Sequence, residues 1–208
     1  MKKSAVIFGL LLLTGCTVIP RPDSSTAIYN FTVPTPLTEQ RQQSQQQRVK
    51  NGKKILIPQV TAPLWLDNPA IHYRLAYHNA AQSYTYASSR WSSPPAFLLT
   101  QQIKQKIAAD THHLVIKDSS VAIVEYELHI EIEEFSQIFD TLTDSHVAIR
   151  FRASLVNNAH RLIAQKIFST THAAATADAA GAVSGFTVAS NQLVDELIEW
   201  LDNAVNHF

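Results

Sequence analysis

The chain has 208 residues, with 17 basic and 17 acidic side chains and a formal net charge of +0 when histidine is neutral. A neutral chain lacks the positive field with which proteins attract nucleic acid, so we exclude a nucleic-acid-binding function. The length suits one domain, and the chain has one cysteine, so no disulfide can form within it.

The N-terminus has the layout of a bacterial export signal. Lys2 and Lys3 precede the apolar run 5–13, AVIFGLLLL, which is shorter than the roughly 20 residues of a membrane-spanning helix. Cys16 follows Leu-Thr-Gly directly. This resembles the lipobox of bacterial lipoproteins, in which the thiol receives a diacylglyceryl group and the chain is cut before the cysteine.

The lipobox predicts a signal peptide at 1–15 and a lipidated tether at 16–26, with lipid attached to Cys16. The residue after Cys16 is Thr17, whereas an Asp there often retains a bacterial lipoprotein at the inner membrane. We therefore expect the protein to be lipid-anchored at the outer membrane, with its body facing the periplasm.

The first half of the body contains short strand signals around a polar segment. Segment 38–54 is rich in glutamine and nearly free of apolar residues, which predicts a loop or an exposed helix. Alternating apolar and aromatic residues predict extended segments at 27–33, 55–60, 70–77 and 83–87. Pro58 indicates an edge position or a bulge for the second of these.

A helix is predicted to follow the prolines at 94 and 95. Ser93 is a suitable N-cap and Pro94 suits the first helical position, where its missing N–H is not needed. The helix should end near Asp110. Its apolar face is expected to contain Phe97, Leu98, Ile103 and Ile107.

The second half of the body predicts an antiparallel meander. Apolar and polar residues alternate strictly over 124–133, and the pattern breaks at Glu134-Phe135, which indicates a bulge. Two more strands are expected at 147–155 and 162–169. Arg150 and Arg152 should lie near the glutamates of the first strand, at 125, 127, 131 and 133.

A long amphipathic helix is predicted from Phe186 nearly to the C-terminus, after a loose segment that contains Gly181 and Gly185. This helix would cover the dry face of the sheet. We therefore predict the α+β class: an antiparallel sheet covered by helices in a two-layer sandwich, forming one domain over 27–208 behind the lipidated tether.

Catalytic and metal-binding patterns are missing from the sequence. His112 and His113 are adjacent and would point apart, and the remaining histidines have no ligand spacing. The glutamates of the meander fit a solvated face. The sequence has neither a GxSxG elbow nor a phosphate loop. We expect no catalytic residue, no metal and no cofactor.

The region 65–95 combines tryptophan, tyrosine and arginine, the side chains that dominate binding hot spots. An alternative is a core edge whose aromatic residues are buried with their polar ends satisfied. Both interpretations concern the same candidate residues, which are Trp65, Tyr73, Arg74, Tyr86, Arg90, Trp91, Pro94 and Pro95.

Several short motifs occur together with the lipobox in a recognisable order. They are Tyr29-Asn30-Phe31, Ile71-His72-Tyr73-Arg74, Tyr86, Arg90-Trp91-Ser92, Pro94-Pro95, Leu98-Leu99 and Glu199-Trp200-Leu201. In this order and spacing the chain resembles the ABC-type transport auxiliary lipoproteins, the PqiC/YmbA-like family. The glutamine-rich segment 38–54 is longer and more polar than is typical of that family.

The resemblance implies a partner system. Lipoproteins of this family work beside an MCE-domain protein and, often, an ABC permease and ATPase, which move lipids or other hydrophobic molecules between membranes. We expect the same partners, attachment to the membrane through acyl chains on Cys16, no nucleic acid, and a homo-oligomer as a further possibility. The alternative is a structural or assembly lipoprotein of the pilotin type, without a transport role.

Overall fold

The computed structural model describes residues 25–31, 52–116 and 123–207. Cys16, most of the tether at 16–26 and most of segment 38–54 lie outside these residues. Within the described ranges the strands are β1 (Ala27–Tyr29), β2 (Lys54–Leu56), β3 (Ala70–Leu75), β4 (Ala80–Trp91), β5 (Leu114–Ile116), β6 (Tyr126–Phe139), β7 (Ser145–Asn157) and β8 (Leu162–Ala173). The helices are α1 (Ala76–Asn79), α2 (Pro95–Asp110) and α3 (Ala179–His207).

The strands form one mixed sheet. Strands β6, β7 and β8 form the predicted antiparallel meander. The other edge of β6 is shared by two parallel neighbours, with β3 along its C-terminal part and β2 along its N-terminal part. Strand β4 pairs antiparallel with β3, and the short β1 pairs parallel with β4. The sheet therefore joins a long regular half to a half built from short strands.

Helix α3 covers one face of the sheet. The apolar side chains of β7 predicted to face the core (Val147, Ile149, Phe151, Ala153 and Leu155) are at most 1% exposed. Phe186 of α3 stacks on Phe135 of β6, with 4.3 Å between ring centroids. Gly185 allows this approach, because a Cβ there would lie 3.1 Å from a methyl carbon of Val147.

The opposite face of the meander is polar, as the alternation predicted. His129, Glu131 and Arg150 are exposed there. Arg152 forms an ion pair with Glu133, with 2.6 Å between Nη2 and Oε1. The register shifts between Ile132 and Glu134, which confirms the predicted bulge. The α+β class is confirmed, although the sheet is mixed because β2 and β3 join β6 in parallel.

Several predicted boundaries in the first half were wrong. Strand β2 ends before Pro58 and lies between β5 and β6, so it is not an edge strand. The extended segment expected at 83–87 is part of the 12-residue β4. Tyr77 belongs to α1 rather than to the strand before it. Pairing with the neighbouring β3, and with β1 from much earlier in the chain, extends β4 beyond its local signal.

The helix boundaries also differ from expectation. The N-cap of α2 is Pro94, with Pro95 in the first turn and no side-chain cap from Ser93. Phe97, which was expected on the buried face, is 44% exposed, and Leu99 is buried in the core instead. Helix α3 begins at Ala179, so Gly181 and Gly185 lie within it. Asp178 caps this start, since its Oδ1 accepts a hydrogen bond from the Gly181 amide at 2.8 Å.

Candidate partner-binding site

The candidate residues at 65–95 divide between the two faces of the sheet. Trp91, at the end of β4, is 1% exposed. Its ring contacts Phe31, Phe135 and Phe186 edge-on, at centroid distances of 5.3, 6.0 and 5.5 Å. Pro95 is buried at the start of α2. Trp91 therefore belongs to the core that joins the sheet to α3.

A row of aromatic rings continues from this core along β3 and β4. The ring of Tyr73 lies 5.4 Å from that of Tyr84, 4.8 Å from that of Tyr86 and 5.7 Å from that of Phe139. The Tyr86 hydroxyl donates a 2.6 Å hydrogen bond to Oε1 of the buried Gln137. Burial raises the pKa of Tyr86, as do the neighbouring Tyr73 and Asp178. This row is half-buried and anchored to β6.

An open groove of about 490 Å³ lies beside β3 and β4, lined by Trp65, His72, Ser83, Tyr84 and Thr85. Trp65 is 43% exposed. Its turn is fixed by Asn68, whose side-chain amide donates to the Trp65 carbonyl at 2.7 Å and whose Oδ1 accepts from the Ala70 amide at 2.9 Å. The indole is therefore a large apolar surface presented from a structured turn.

His72 forms the floor of this groove. It is 9% exposed, and its ring lies edge-on to Trp65 with 5.4 Å between centroids. Its Nε2 is buried and has no hydrogen-bond partner among the described residues. Burial lowers the pKa of His72, and the carboxylate of Glu134 opposes this shift. Burial therefore favours the neutral form of the imidazole that lines this groove.

The two arginines of the region differ in their contacts. Arg74 forms an ion pair with Glu134, with 2.6 Å between Nη2 and Oε2, and Ser136 donates its hydroxyl to the same carboxylate. Glu134 is at the β6 bulge, so this pair secures β3 to β6. Arg90 is exposed and has neither an ion pair nor a cation–π contact with a residue that the structure describes. Among the described residues, Arg90 therefore neither pairs with a carboxylate nor stacks on Tyr73 or Tyr86.

Sequence reasoning did not identify His72 and Gln137 as parts of this region. His72 lies between Ile71 and Tyr73 in β3, and Gln137 follows the bulge of β6, and these positions were the available signal. The chain pattern does not reveal that Gln137 lies between Tyr86 and Ser145, to whose Oγ its Nε2 donates at 2.8 Å.

A second groove, of about 450 Å³, lies between loop 59–67 and the start of α2, where Pro94 and the exposed Phe97 line it.

Within the described ranges, no three His, Cys, Asp or Glu side chains cluster where a metal ion could bind. No helix in the described segments is both long and apolar enough to cross a bilayer.

Solved structures share this fold at low sequence identity. Protein XCC0632 from Xanthomonas campestris, of the DUF330 family, has a TM-score of 0.69 and 18% identity, covering 87% of this chain and 98% of its own. The hypothetical protein CT253 from Chlamydia trachomatis has a TM-score of 0.53 and 12% identity, covering 74% of this chain and 98% of its own. At these sequence identities the similarity to the two solved structures shows a shared fold and nothing further.

None of the curated proteins matches the sequence. A family model for the ABC-type transport auxiliary lipoprotein component matches residues 31–198, which include every strand from β2 to β8 and most of α3. The chain therefore belongs to the ABC-type transport auxiliary lipoprotein family.

Proposed function

We propose that this protein is an outer-membrane-anchored, non-catalytic component of an MCE-type envelope transport system that moves lipids or other hydrophobic molecules between membranes. The observation that carries the proposal is the family match over residues 31–198. The match covers most of the body of the chain, so the family assignment does not depend on the predicted export signal.

The anchor in this proposal is Cys16. Acylation of its thiol and of the new N-terminal amine, with chains such as palmitate, would attach the protein stably, because each buried methylene contributes about 0.8 kcal/mol. Thr17 favours the outer membrane as the destination. The tether at 16–26 contains two prolines, which favour an extended spacer between the lipid and the body.

The groove around Trp65 is the proposed contact with the partner. Trp65 is an exposed aromatic side chain on a structured turn, the type of residue that anchors interfaces. Tyr84 and Thr85 add the neighbouring strand β4. Trp91 and Pro95 are buried, so their proposed role is structural. The MCE-domain protein, acting with its permease and ATPase, is the proposed partner. Several copies of this chain could assemble on it.

Site-specific photo-cross-linking in intact cells tests this function. A photoreactive phenylalanine analogue at position 65 should cross-link to an MCE-domain protein, identified by mass spectrometry. The matched control is position 162, because Leu162 is 59% exposed but lies at the other end of the sheet. Cross-links from position 65 to a secretin, with none to an MCE protein, would instead establish the structural lipoprotein alternative.

A further inference from the structure

The direction of β1 indicates from which end of the sheet the chain before Ala27 approaches the folded body. Strand β1 runs parallel to β4, with Ala27 opposite Ser89 and Tyr29 opposite Trp91. Strand β4 starts at Ala80, directly after α1. The chain that enters β1 at Ala27 therefore comes from the side of the sheet where β4 begins.

That side of the sheet is a defined end of the molecule. Leu75 pairs with Phe139, so α1 and the β6–β7 turn (140–144) lie together. His146 pairs with Ala173, which brings the end of β8 to the same place. We call this the α1 end, comprising α1 and the 140–144 turn. The opposite end contains the start of β6 and the β7–β8 turn.

The reach of the tether favours the α1 end. Ala70 pairs with Arg90 and Tyr73 with Gln137, so β1 lies near the level of Phe135 on β6. From there the far end of β6 is about 30 Å away at about 3.3 Å per residue. Segment 16–26 spans at most about 40 Å when fully extended. A tether that turned back to the opposite end would use about three quarters of that length, whereas the α1 end, about 13 Å away, needs about one third.

The α1 end presents apolar side chains from structured positions. Leu142 is 78% exposed at the tip of its turn, and Tyr77 of α1 is 46% exposed. The turn is closed by hydrogen bonds from the Asp140 and Thr141 amides to the Asp144 carbonyl, at 3.0 and 3.2 Å. Leucine inserts favourably among acyl chains, and tyrosine is favoured at the interface between headgroups and hydrocarbon.

The charges at the α1 end indicate whether it would contact an anionic or a zwitterionic lipid surface. Segments 76–82, 139–147 and 172–178 contain three aspartates, at 140, 144 and 178, and neither lysine nor arginine. One of these, Asp140, lies 2.7 Å from Nδ1 of His146. An anionic surface would repel such an end, whereas a zwitterionic surface would not. The opposite end is more nearly balanced: it contains Lys53, Lys54 and Arg161, but also Glu125 and Glu127, and Lys53 is paired with Glu125 at 3.4 Å.

We propose that the α1 end rests on a zwitterionic lipid surface, with Leu142 and Tyr77 in contact with it, so that the opposite end projects away from the membrane. The proposal rests on anchoring at Cys16, which belongs to the proposed function. It adds an orientation of the body: the α1 end is the face next to the lipid.

Fluorescence quenching from the bilayer tests this orientation. Acylation occupies the thiol of Cys16, so an added cysteine can be labelled selectively with an environment-sensitive dye. Thr143→Cys places the dye beside Leu142, and Ala159→Cys places it in the β7–β8 turn at the opposite end. In phosphatidylcholine–phosphatidylethanolamine vesicles containing spin-labelled lipid, quenching should be at least twofold stronger at position 143. Equal quenching, or stronger quenching at position 159, would overturn the proposal.

Two further measurements separate this proposal from the anchoring itself. The mature chain with a histidine tag in place of Cys16, bound to nickel-chelating lipid in the same vesicles, should give the same ordering of quenching without acylation. Mass spectrometry of the cellular protein reports on Cys16 acylation separately. Adding Leu142→Ser to the Thr143→Cys protein should reduce quenching at 143. Unchanged quenching, or an increase of quenching at 143 on adding phosphatidylglycerol, would contradict the proposed contact.

Discussion

Trp65 and Trp91 come from the same aromatic-rich part of the chain, and the fold gives them opposite environments. Trp91 is 1% exposed within a cluster of phenylalanine rings, whereas Trp65 is 43% exposed at the rim of an open groove. The difference follows from the sheet: helix α3 covers the face that Trp91 joins, and Trp65 lies beside His72 on the other face. An aromatic-rich segment thus contains core and surface together.

The largest expected contrast is between alanine substitutions at these two positions. Trp91→Ala removes a ring that contacts Phe31, Phe135 and Phe186, and should lower the free energy of unfolding by about 3–5 kcal/mol. Trp65→Ala should lower it by less, about 1–2 kcal/mol, because the indole is 43% exposed and lies outside the core. Urea denaturation of both variants, followed by circular dichroism, measures the difference.

Partner binding should show the reverse order. Trp65→Ala should remain folded and lose co-purification with the MCE protein. If Trp91→Ala were fully folded and had lost only partner binding, the assignment of Trp91 to the core would be wrong and it would move to an interface.

A smaller effect is expected where the tyrosine row meets the core. Tyr86→Phe removes the donor to Oε1 of Gln137, which is 0% exposed. The buried acceptor then has no donor from Tyr86, and the free energy of unfolding should fall by about 1–2 kcal/mol. Chemical denaturation gives the value.

Tyr84→Phe is the matched control, because Tyr84 stacks on Tyr73 but its hydroxyl bonds no residue that the structure describes. This substitution keeps the ring and should be nearly neutral. Equal losses for the two variants would show that the hydrogen bond to Gln137 is not what distinguishes these tyrosines.

The smallest expected effect is a pH dependence from the groove face. Burial lowers the pKa of His72 in the folded protein below its ordinary value of 6.5. The unfolded state therefore takes up the proton first as pH falls, so stability is fully present above pH 6.5 and declines as pH falls through the folded pKa. The loss between pH 7.5 and 5 should be smaller in His72→Gln, measured by denaturation at each pH.

His78→Gln provides the comparison, since His78 is exposed on α1. Its pH profile should follow that of the wild type. A His72→Gln profile that also follows the wild type would show that His72 does not contribute to the acid sensitivity.

The sequence by itself determined the regular half of the molecule. The alternation in β6 and β7 places Leu128 and Phe151 inside and His129 and Arg150 outside, and the broken phase at Glu134 marks the bulge. Side chains alternate with a period of two, so burial on one face appears directly in the order of residues. The amphipathic pattern of α3 was readable because apolar residues that recur at spacings of three and four share one face of a helix.

Only the tertiary structure decided the environment of each candidate residue at 65–95. Trp65, Arg74 and Trp91 are similar in sequence context, yet one is at a groove, one pairs with Glu134 and one is buried. These differences arise from pairing with distant strands: β3 joins β6 in parallel, and β4 joins β1. Local periodicity does not contain such long-range pairings, because they depend on which strands and helices meet after the chain has folded.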